Sequence, residues 1–213
     1  MHSTPQVVLR KKTALAHLSL RPRLFGCIVL AAVIWGAGIC WGTRALWRYD
    51  LTPGGVATSG ATWPSGTSLQ RDANRATLVM IVHPNCPCSR ASISEFEVLM
   101  SRCQDQVTAY VLFERLAGVI DDPATTDLWK TAARIPGVTV VSDTTGEWSK
   151  QFHAETSGQT LLYDRSGSLR FNGGITPSRG HAGESDGRIA IELIINGAVP
   201  AHDTTPVYGC SLR

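Results

Sequence analysis

Two cysteines one residue apart, Cys86 and Cys88, are the side chains best suited to chemistry in this chain of 213 residues. They flank Pro87, a residue that suits the first position of a helix. A thiolate is a stronger nucleophile and metal ligand than a thiol, and free N–H groups and the macrodipole at a helix N-terminus stabilise it. We therefore predict a reactive thiolate here. Because Cys86 precedes the helix, we expect it to be the less covered of the two and the nucleophile.

A disulfide between Cys86 and Cys88 would be strained, since bonded cysteines need Cβ atoms about 3.8 Å apart and neighbouring side chains on a turn diverge. Two alternatives follow. Either these two cysteines cycle as a readily reduced pair, or Cys210 resolves the reaction if the C-terminal tail folds back. The remaining cysteines lie in apolar helical patterns and are interpreted as small packing residues: Cys27, Cys40 and Cys103.

Metal binding is the alternative to redox chemistry. Cys86, Cys88 and a histidine could hold Cu(I), which favours soft thiolate ligands. His83 is the preferred histidine because it follows a buried strand close to Cys86; His153 and His181 are further candidates. A zinc site would need a fourth ligand that the sequence does not indicate. The redox interpretation requires no cofactor.

The distribution of charge argues against a nucleic-acid partner. Residues 1–49 hold seven of the 20 Lys and Arg and none of the 17 Asp and Glu, so residues 50–213 carry a net charge of −4. A nucleic-acid-binding domain would carry its positive charge on the folded part. Hydrophobic residues make up 43% of the chain, which is too many for a disordered protein.

The uncharged run 24–42 predicts a transmembrane signal anchor, because 19 residues at about 1.5 Å each nearly span a hydrocarbon core of about 30 Å. A cleaved signal peptide and a buried core helix are the alternatives. The basic residues of the tail 1–23 place the N-terminus in the cytoplasm and the rest of the chain outside. Residues 43–69 are interpreted as a flexible linker rich in Gly, Ser, Thr and Pro, and residues 70–213 as one globular domain.

The domain shows the order β-α-β-α-β-(α)-β-β-α, which predicts a three-layer α/β domain with a mixed central sheet. Buried strands are indicated by continuous apolar runs, and the Asp164–Gly167 turn indicates a hairpin. The predicted strands are 76–82, 107–113, 138–141, 160–163 and 169–171. The predicted helices follow Ser89, begin at 121–123, and cover 147–152 and 187–196.

This order, with cysteines at the first strand-to-helix junction, resembles the thioredoxin fold. The strings HPNCPCSR, TSGQTLLYDRSG and FNGGITPSRGH are similar to a RedB-type subgroup of membrane-tethered bacterial thioredoxin-like proteins. The sequence has no Cys-X-X-Cys. With Cys86 in the first position of that motif, Ser89 takes the second; shifted by one residue, Cys88 takes the second position and Asn85 the first. The family's active-site cis-proline aligns near Gly158 or Gln159, which the resemblance implies as substrate-binding positions. Arg179 and His181 lie in a loop that we expect to rim the site and to bind an anionic group of a partner.

Together these features predict a membrane-anchored thiol-disulfide oxidoreductase of the bacterial inner membrane. Its single helix would leave the domain in the periplasm or outside the cell, where thiol or disulfide proteins are its partners. The predicted catalytic residues are Cys86, Cys88 and Cys210. The alternatives are a Cu(I) metallochaperone using Cys86, Cys88 and His83, and a thioredoxin-like interaction domain without activity.

Overall fold

A computed structural model describes residues 22–56, 60–114 and 122–212. The chain divides into two compact units, residues 1–45 and 46–213. The first helix, α1 (Pro22–Asp50), is long and apolar enough over Leu24–Asp50 to cross a membrane by length and composition. The membrane segment predicted over 24–42 is therefore helical. Residues 1–21 of the predicted basic tail lie outside the described residues.

The second unit contains five strands, four α-helices and two short 3-10 helices among its described residues. The strands are β1 (Ala76–Val82), β2 (Val107–Glu114), β3 (Val138–Asp143), β4 (Gln159–Tyr163) and β5 (Leu169–Gly173). The α-helices are α2 (Ser89–Cys103), α3 (Asp127–Ala132), α4 (Glu147–Gln151) and α5 (Asp186–Ile195), and the 3-10 helices are Gln104–Gln106 and Pro123–Thr125. The predicted order of elements is confirmed.

The five strands form one mixed sheet in the order β3-β2-β1-β4-β5. Strands β1, β2 and β3 run parallel, whereas β4 is antiparallel to both β1 and β5. Strand β1 lies in the centre and its residues from Thr77 to Val82 are buried, as its continuous apolar run predicted. This is the thioredoxin-like α/β architecture expected from the sequence.

Alternate residues of β1 pack into two separate cores, because successive side chains of a strand point to opposite faces. Leu78, Met80 and Val82 pack on one face with the apolar sides of α2, α3 and α5. Val79 and Ile81 pack on the other face in a smaller cluster, with residues of and next to α4. The sheet is thus the middle layer of three, and its central strand leads directly to the cysteine pair.

The predicted helix at 121–123 is replaced by two shorter elements. Asp122 accepts a hydrogen bond from the N–H of Ala124 and caps the 3-10 helix Pro123–Thr125, while Asp121 lies outside the described residues. The helix α3 begins only after Thr126, whose hydroxyl accepts from the N–H of Trp129. A hydroxyl that bonds locally in this way favours a cap over a helix interior.

The structure also differs from the predicted linker 43–69. Residues 43–50 continue α1, and Trp63 packs edge-on against Phe152 and Tyr163, with ring centroids 5.2 and 5.1 Å apart. The N–H of Trp63 donates to the carbonyl of Gly167 over 2.7 Å. The content of Gly, Ser and Pro does not reveal that one partly buried indole holds this segment against the domain.

Candidate active site

The junction between β1 and α2 carries Cys86 and Cys88, as predicted. After β1 ends at Val82 the chain makes a tight turn, in which the N–H of Cys86 donates to the carbonyl of His83 and the N–H of Ser89 to that of Cys86. Cys88 has helical backbone angles and stands immediately before α2, with no side chain capping the helix. Both cysteines therefore lie at the N-terminus of α2, where the positive end of the helix macrodipole favours a nearby thiolate.

The C-terminal segment, defined here as Val207–Leu212, folds back and covers this junction. Three main-chain bonds hold it: the N–H of Gly54 donates to the carbonyl of Val207 over 2.8 Å, the N–H of Ser157 to that of Cys210 over 2.8 Å, and the N–H of Leu212 to that of Glu155 over 2.9 Å. Val207 and Leu212 are buried and anchor its two ends. The tail therefore adopts the folded-back position that the sequence analysis required of Cys210.

This fold-back places Cys210 against Cys86, although the two residues are separated by 124 positions. Their sulfur atoms are 2.8 Å apart, and the N–H of Cys210 points to the sulfur of Cys86 at 3.4 Å. Both cysteines are free thiols in this structure. The structure thus brings together two of the three predicted catalytic sulfurs, from opposite ends of the domain.

Cys86 has the most favourable surroundings for a thiolate. Burial raises the pKa of its thiol, but hydrogen bonds from the side chains and main chains of Cys210 and Ser89 outweigh burial and lower that pKa below its usual value. Hydrogen bonds to the charged form favour ionisation. A lowered pKa favours ionisation of Cys86 over its neighbours; its role as the nucleophile stays a prediction.

The other two cysteines stay protonated. Burial and the negative charge of Cys86 both raise the pKa of Cys88, while the guanidinium of Arg179 opposes them. Burial, the hydrogen bond to Cys86 and the charges of the neighbouring sulfurs raise the pKa of Cys210 to about 12. Of the three neighbouring sulfurs, only that of Cys86 has a lowered pKa, whereas the pKa values of Cys88 and Cys210 are raised.

The prediction that Cys86 is the less covered cysteine is wrong. Cys86 is 4% exposed and Cys88 is 6% exposed, whereas Cys210 is half-buried. The physical reason is the C-terminal segment, whose docking against Ser157 lays Cys210 over Cys86. The C-terminal segment therefore covers Cys86. Cys103, interpreted as a packing residue, is buried at the end of α2, while Cys27 and Cys40 are exposed on α1 and not in a core.

Arg179 lies at the site, but its contacts differ from the predicted one with a partner. Its three guanidinium nitrogens donate to the carbonyls of Tyr49, Thr52 and Gly209, with N···O distances of 3.2 and 3.1 Å for the first two. The guanidinium also stands 4.9 Å from the centre of the Tyr49 ring. Arg179 therefore ties together two segments of this chain, the end of α1 and the C-terminal segment.

Of the remaining predicted substrate-binding positions, the structure contradicts a role for the Gln159 side chain. Gln159 is fully buried: its amide donates to the side chain of Asn172 over 2.8 Å, and its oxygen accepts the N–H of Glu155. Gly158 has a φ of +94°, and its N–H donates to the carbonyl of Ile81. His181 is exposed and bonds within its own loop. Roles for Gly158 and His181 stay predictions.

Sequence reasoning missed Ser157. Its hydroxyl accepts the N–H of His83 over 2.8 Å and lies 2.6 Å from the hydroxyl of Ser89, so it joins the turn before β4 to the turn that carries the cysteines. Its position directly before Gly158, in the string that carries the family resemblance, was the available signal.

The predicted Cu(I) ligands gain no support from this arrangement. The ring of His83 accepts the N–H of Asn85, and burial lowers its pKa. Within the described residues, no group of three or more His, Cys, Asp or Glu is placed to hold a metal ion.

Comparisons with known proteins agree with the fold. No protein-family model matches the sequence, and no curated protein matches it. Among solved structures, a hypothetical protein from Sinorhizobium meliloti 1021 is 17% identical with a TM-score of 0.59, over 76% of this chain and 97% of that one. An uncharacterized conserved protein from Geobacillus kaustophilus is 19% identical with a TM-score of 0.57, over 76% and 92%. An exposed lipoprotein thioredoxin from Streptococcus pneumoniae, 12% identical over 66% and 99%, has a TM-score of only 0.44. At these identities the likeness concerns the fold alone: this chain carries its three neighbouring cysteines on a thioredoxin-like α/β domain.

Proposed function

We propose that this protein is a membrane-anchored thiol-disulfide oxidoreductase that acts on protein disulfides or thiols outside the cytoplasmic membrane, as the RedB-type resemblance implies. The observation that carries the proposal is the 2.8 Å separation between the sulfurs of Cys86 and Cys210 at the N-terminus of α2. A covalent S–S bond is about 2.05 Å long, so less than about 1 Å of movement joins them.

Cys210 rather than Cys88 is proposed as the resolving cysteine. Cys86 and Cys88 are one residue apart on a turn, where bonded sulfurs would strain the backbone. Cys210 approaches from a separate segment with its own main-chain anchors, so its sulfur meets Cys86 without that strain. Cys88 stays a neighbouring thiol that donates to the Cys86 thiolate.

The exchange proceeds in two displacements. The Cys86 thiolate attacks one sulfur of a partner disulfide, forming a Cys86–partner S–S bond and releasing the other partner sulfur as a thiolate, which takes a proton. Cys210 then loses its proton and attacks the Cys86 sulfur. This step forms the Cys86–Cys210 disulfide and releases the second partner thiolate. The two electrons that reduce the partner come from Cys86 and Cys210, and the reverse sequence oxidises a partner dithiol.

The first displacement prepares Cys210 for the second. In the reduced site, burial and then the hydrogen bond and negative charge of Cys86 hold the pKa of Cys210 at about 12. Once Cys86 is bonded to the partner it carries no charge, so two of these causes disappear and the pKa of Cys210 falls. Cys210 becomes a nucleophile only after Cys86 has reacted, because a thiol must ionise before it attacks.

The proposed location rests on α1 and on the charge distribution. Helix α1 has the length and apolar character to act as an anchor, and the basic residues before it favour a cytoplasmic N-terminus. Disulfides persist outside the reducing cytosol, which suits a redox couple built from one buried and one half-buried thiol. A cysteine introduced by Val199→Cys, at a side chain that is 92% exposed, should raise labelling by a membrane-impermeant thiol reagent above the wild-type level in intact spheroplasts. Labelling of this cysteine only after lysis would contradict the location.

The test of the reaction is capture of mixed disulfides on the full chain in bacterial membranes. Cys210→Ser removes the resolving thiol, so Cys86 should accumulate covalent adducts with partner proteins after acid quenching. Cys103→Ser, at a buried cysteine at the far end of α2, is the matched control and should trap no more than wild type. Adducts that persist in the Cys86→Ser/Cys210→Ser double variant, or no excess in Cys210→Ser, would contradict the proposal.

A further inference from the structure

Arg179 joins two segments that the sequence places far apart. Its side chain donates to the carbonyls of Tyr49 and Thr52, and its own N–H donates to the carbonyl of Asp50 over 3.1 Å. These carbonyls stand at and just beyond the end of α1, where a helix leaves its last carbonyls without internal partners. An arginine there satisfies them and complements the negative end of the helix dipole.

The same guanidinium reaches the C-terminal segment. It donates to the carbonyl of Gly209, the acceptor of the peptide bond that leads directly into Cys210. A second tie between the two segments lies close by, because the N–H of Gly54 donates to the carbonyl of Val207 over 2.8 Å. The residues around 49–55 and the C-terminal segment are therefore held together beside the cysteines, with Arg179 bonded to both.

We propose that Arg179 is a positioning residue of the redox couple: it fixes the Gly209–Cys210 peptide to the end of α1 and so keeps the sulfur of Cys210 within bonding reach of Cys86. This inference rests on the proposed function. The guanidinium suits the task because it is planar and directs its donors in fixed directions, so one side chain bonds three carbonyls at once. A lysine would keep the charge without this geometry.

Loss of the Arg179 hydrogen bonds should lower the stability of the Cys86–Cys210 disulfide relative to the dithiol. Closing the disulfide depends on the effective concentration of Cys210 at Cys86, which falls when the segment is freed. The positive charge of the guanidinium also opposes the raised pKa values of Cys88 and Cys210. Arg179→Lys keeps that charge, so it separates the effect of the charge from the positioning of Cys210.

The test measures the equilibrium of the full chain with glutathione buffers, in detergent, by mass spectrometry of the trapped cysteines. We expect Arg179→Gln to lower the equilibrium constant for the Cys86–Cys210 disulfide by at least about tenfold, the effect of losing a few charge-assisted hydrogen bonds. Arg179→Lys should lose at least about threefold because its single nitrogen cannot reach all three carbonyls. The control is Arg170→Gln, at a half-exposed arginine on β5 near Asp164, which should stay within about twofold of wild type.

A second measurement separates positioning from general support of the fold. In a background with Cys88→Ser and Cys210→Ser, Cys86 can form only a mixed disulfide with glutathione, and Arg179→Gln should change that equilibrium by less than about twofold. An equal change in both backgrounds, or a wild-type equilibrium in Arg179→Gln or Arg179→Lys, would overturn the role of Arg179 and leave the proposed function standing. A wild-type chain that forms no Cys86–Cys210 disulfide at any glutathione ratio would overturn the proposed function itself.

Discussion

Gly209→Ala is the substitution that displaces Cys210 with the least change in chemistry. A Cβ atom at Gly209 would stand 1.8 Å from the carbonyl oxygen of Ser157, whereas real Cβ atoms stay beyond 3.0 Å, so the main chain must move by at least about 1.2 Å. That shift stretches the 2.8 Å bond between Ser157 and Cys210 beyond hydrogen-bonding distance and separates the two sulfurs. Overpacking of this kind costs about 1–3 kcal/mol.

If this cost falls on the docked C-terminal segment, the equilibrium constant of the Cys86–Cys210 disulfide against glutathione should drop by about 5- to 150-fold. Gly60→Ala is the matched control, because a Cβ there meets only the carbonyl oxygen of Thr62 at 3.7 Å, an ordinary contact. Circular dichroism verifies that both variants are folded. A folded Gly209→Ala protein with the wild-type disulfide equilibrium would refute the argument that docking of this segment creates the redox couple.

Three further predictions concern protonation and packing. The Cys86 thiolate, followed by ultraviolet absorbance, should titrate below the ordinary cysteine pKa of 9.0, and Cys210→Ala should move its midpoint upward because the thiol that donates to the Cys86 sulfur is lost; an unchanged midpoint would contradict the assignment. The pKa of Cys210 rises from 9.0 to about 12 on folding, so its contribution to stability is complete below pH 9 and is lost as pH rises toward 12. The free energy of unfolding of the reduced protein in urea should therefore fall over that pH range, and it should fall less steeply in Cys210→Ser than in wild type. Trp63→Ala should lower the free energy of unfolding by about 2 kcal/mol in urea, against almost no change for Val199→Ala at a side chain that is 92% exposed; equal stabilities would show that residues 60–69 are an undocked linker.

The central strands were predictable because their signal is local. The run Ala76–Val82 is apolar throughout, as a strand buried on both faces requires, and the observed strand has the predicted bounds. The position of Cys86 and Cys88 at a strand-to-helix junction followed from the same local pattern. The prediction of one helix that begins at 121–123 was wrong because Thr126 interrupts it: the hydroxyl of Thr126 accepts the N–H of Trp129 and caps α3.

The docking of the C-terminal segment over the cysteines could not be predicted from the sequence, because it depends on contacts between distant segments. Docking of Cys210 closes a loop of 124 residues, and its determinants are a buried Val207, a buried Leu212 and the small Gly209 between them. Sequence analysis could only make the role of Cys210 conditional on that closure. Arg179 was expected to contact a partner because its acceptors are main-chain carbonyls, which every residue carries and which a sequence therefore does not single out.

Disulfide mapping shows whether Cys86 and Cys210 form the redox couple. The full chain is equilibrated in a mildly oxidising glutathione buffer, free thiols are blocked, and the cross-linked peptides are identified by mass spectrometry. We expect one disulfide in the domain, between Cys86 and Cys210, and we expect Cys88 and Cys103 to be recovered as blocked thiols. A bond between Cys86 and Cys88, or four blocked thiols at every buffer ratio, would contradict it.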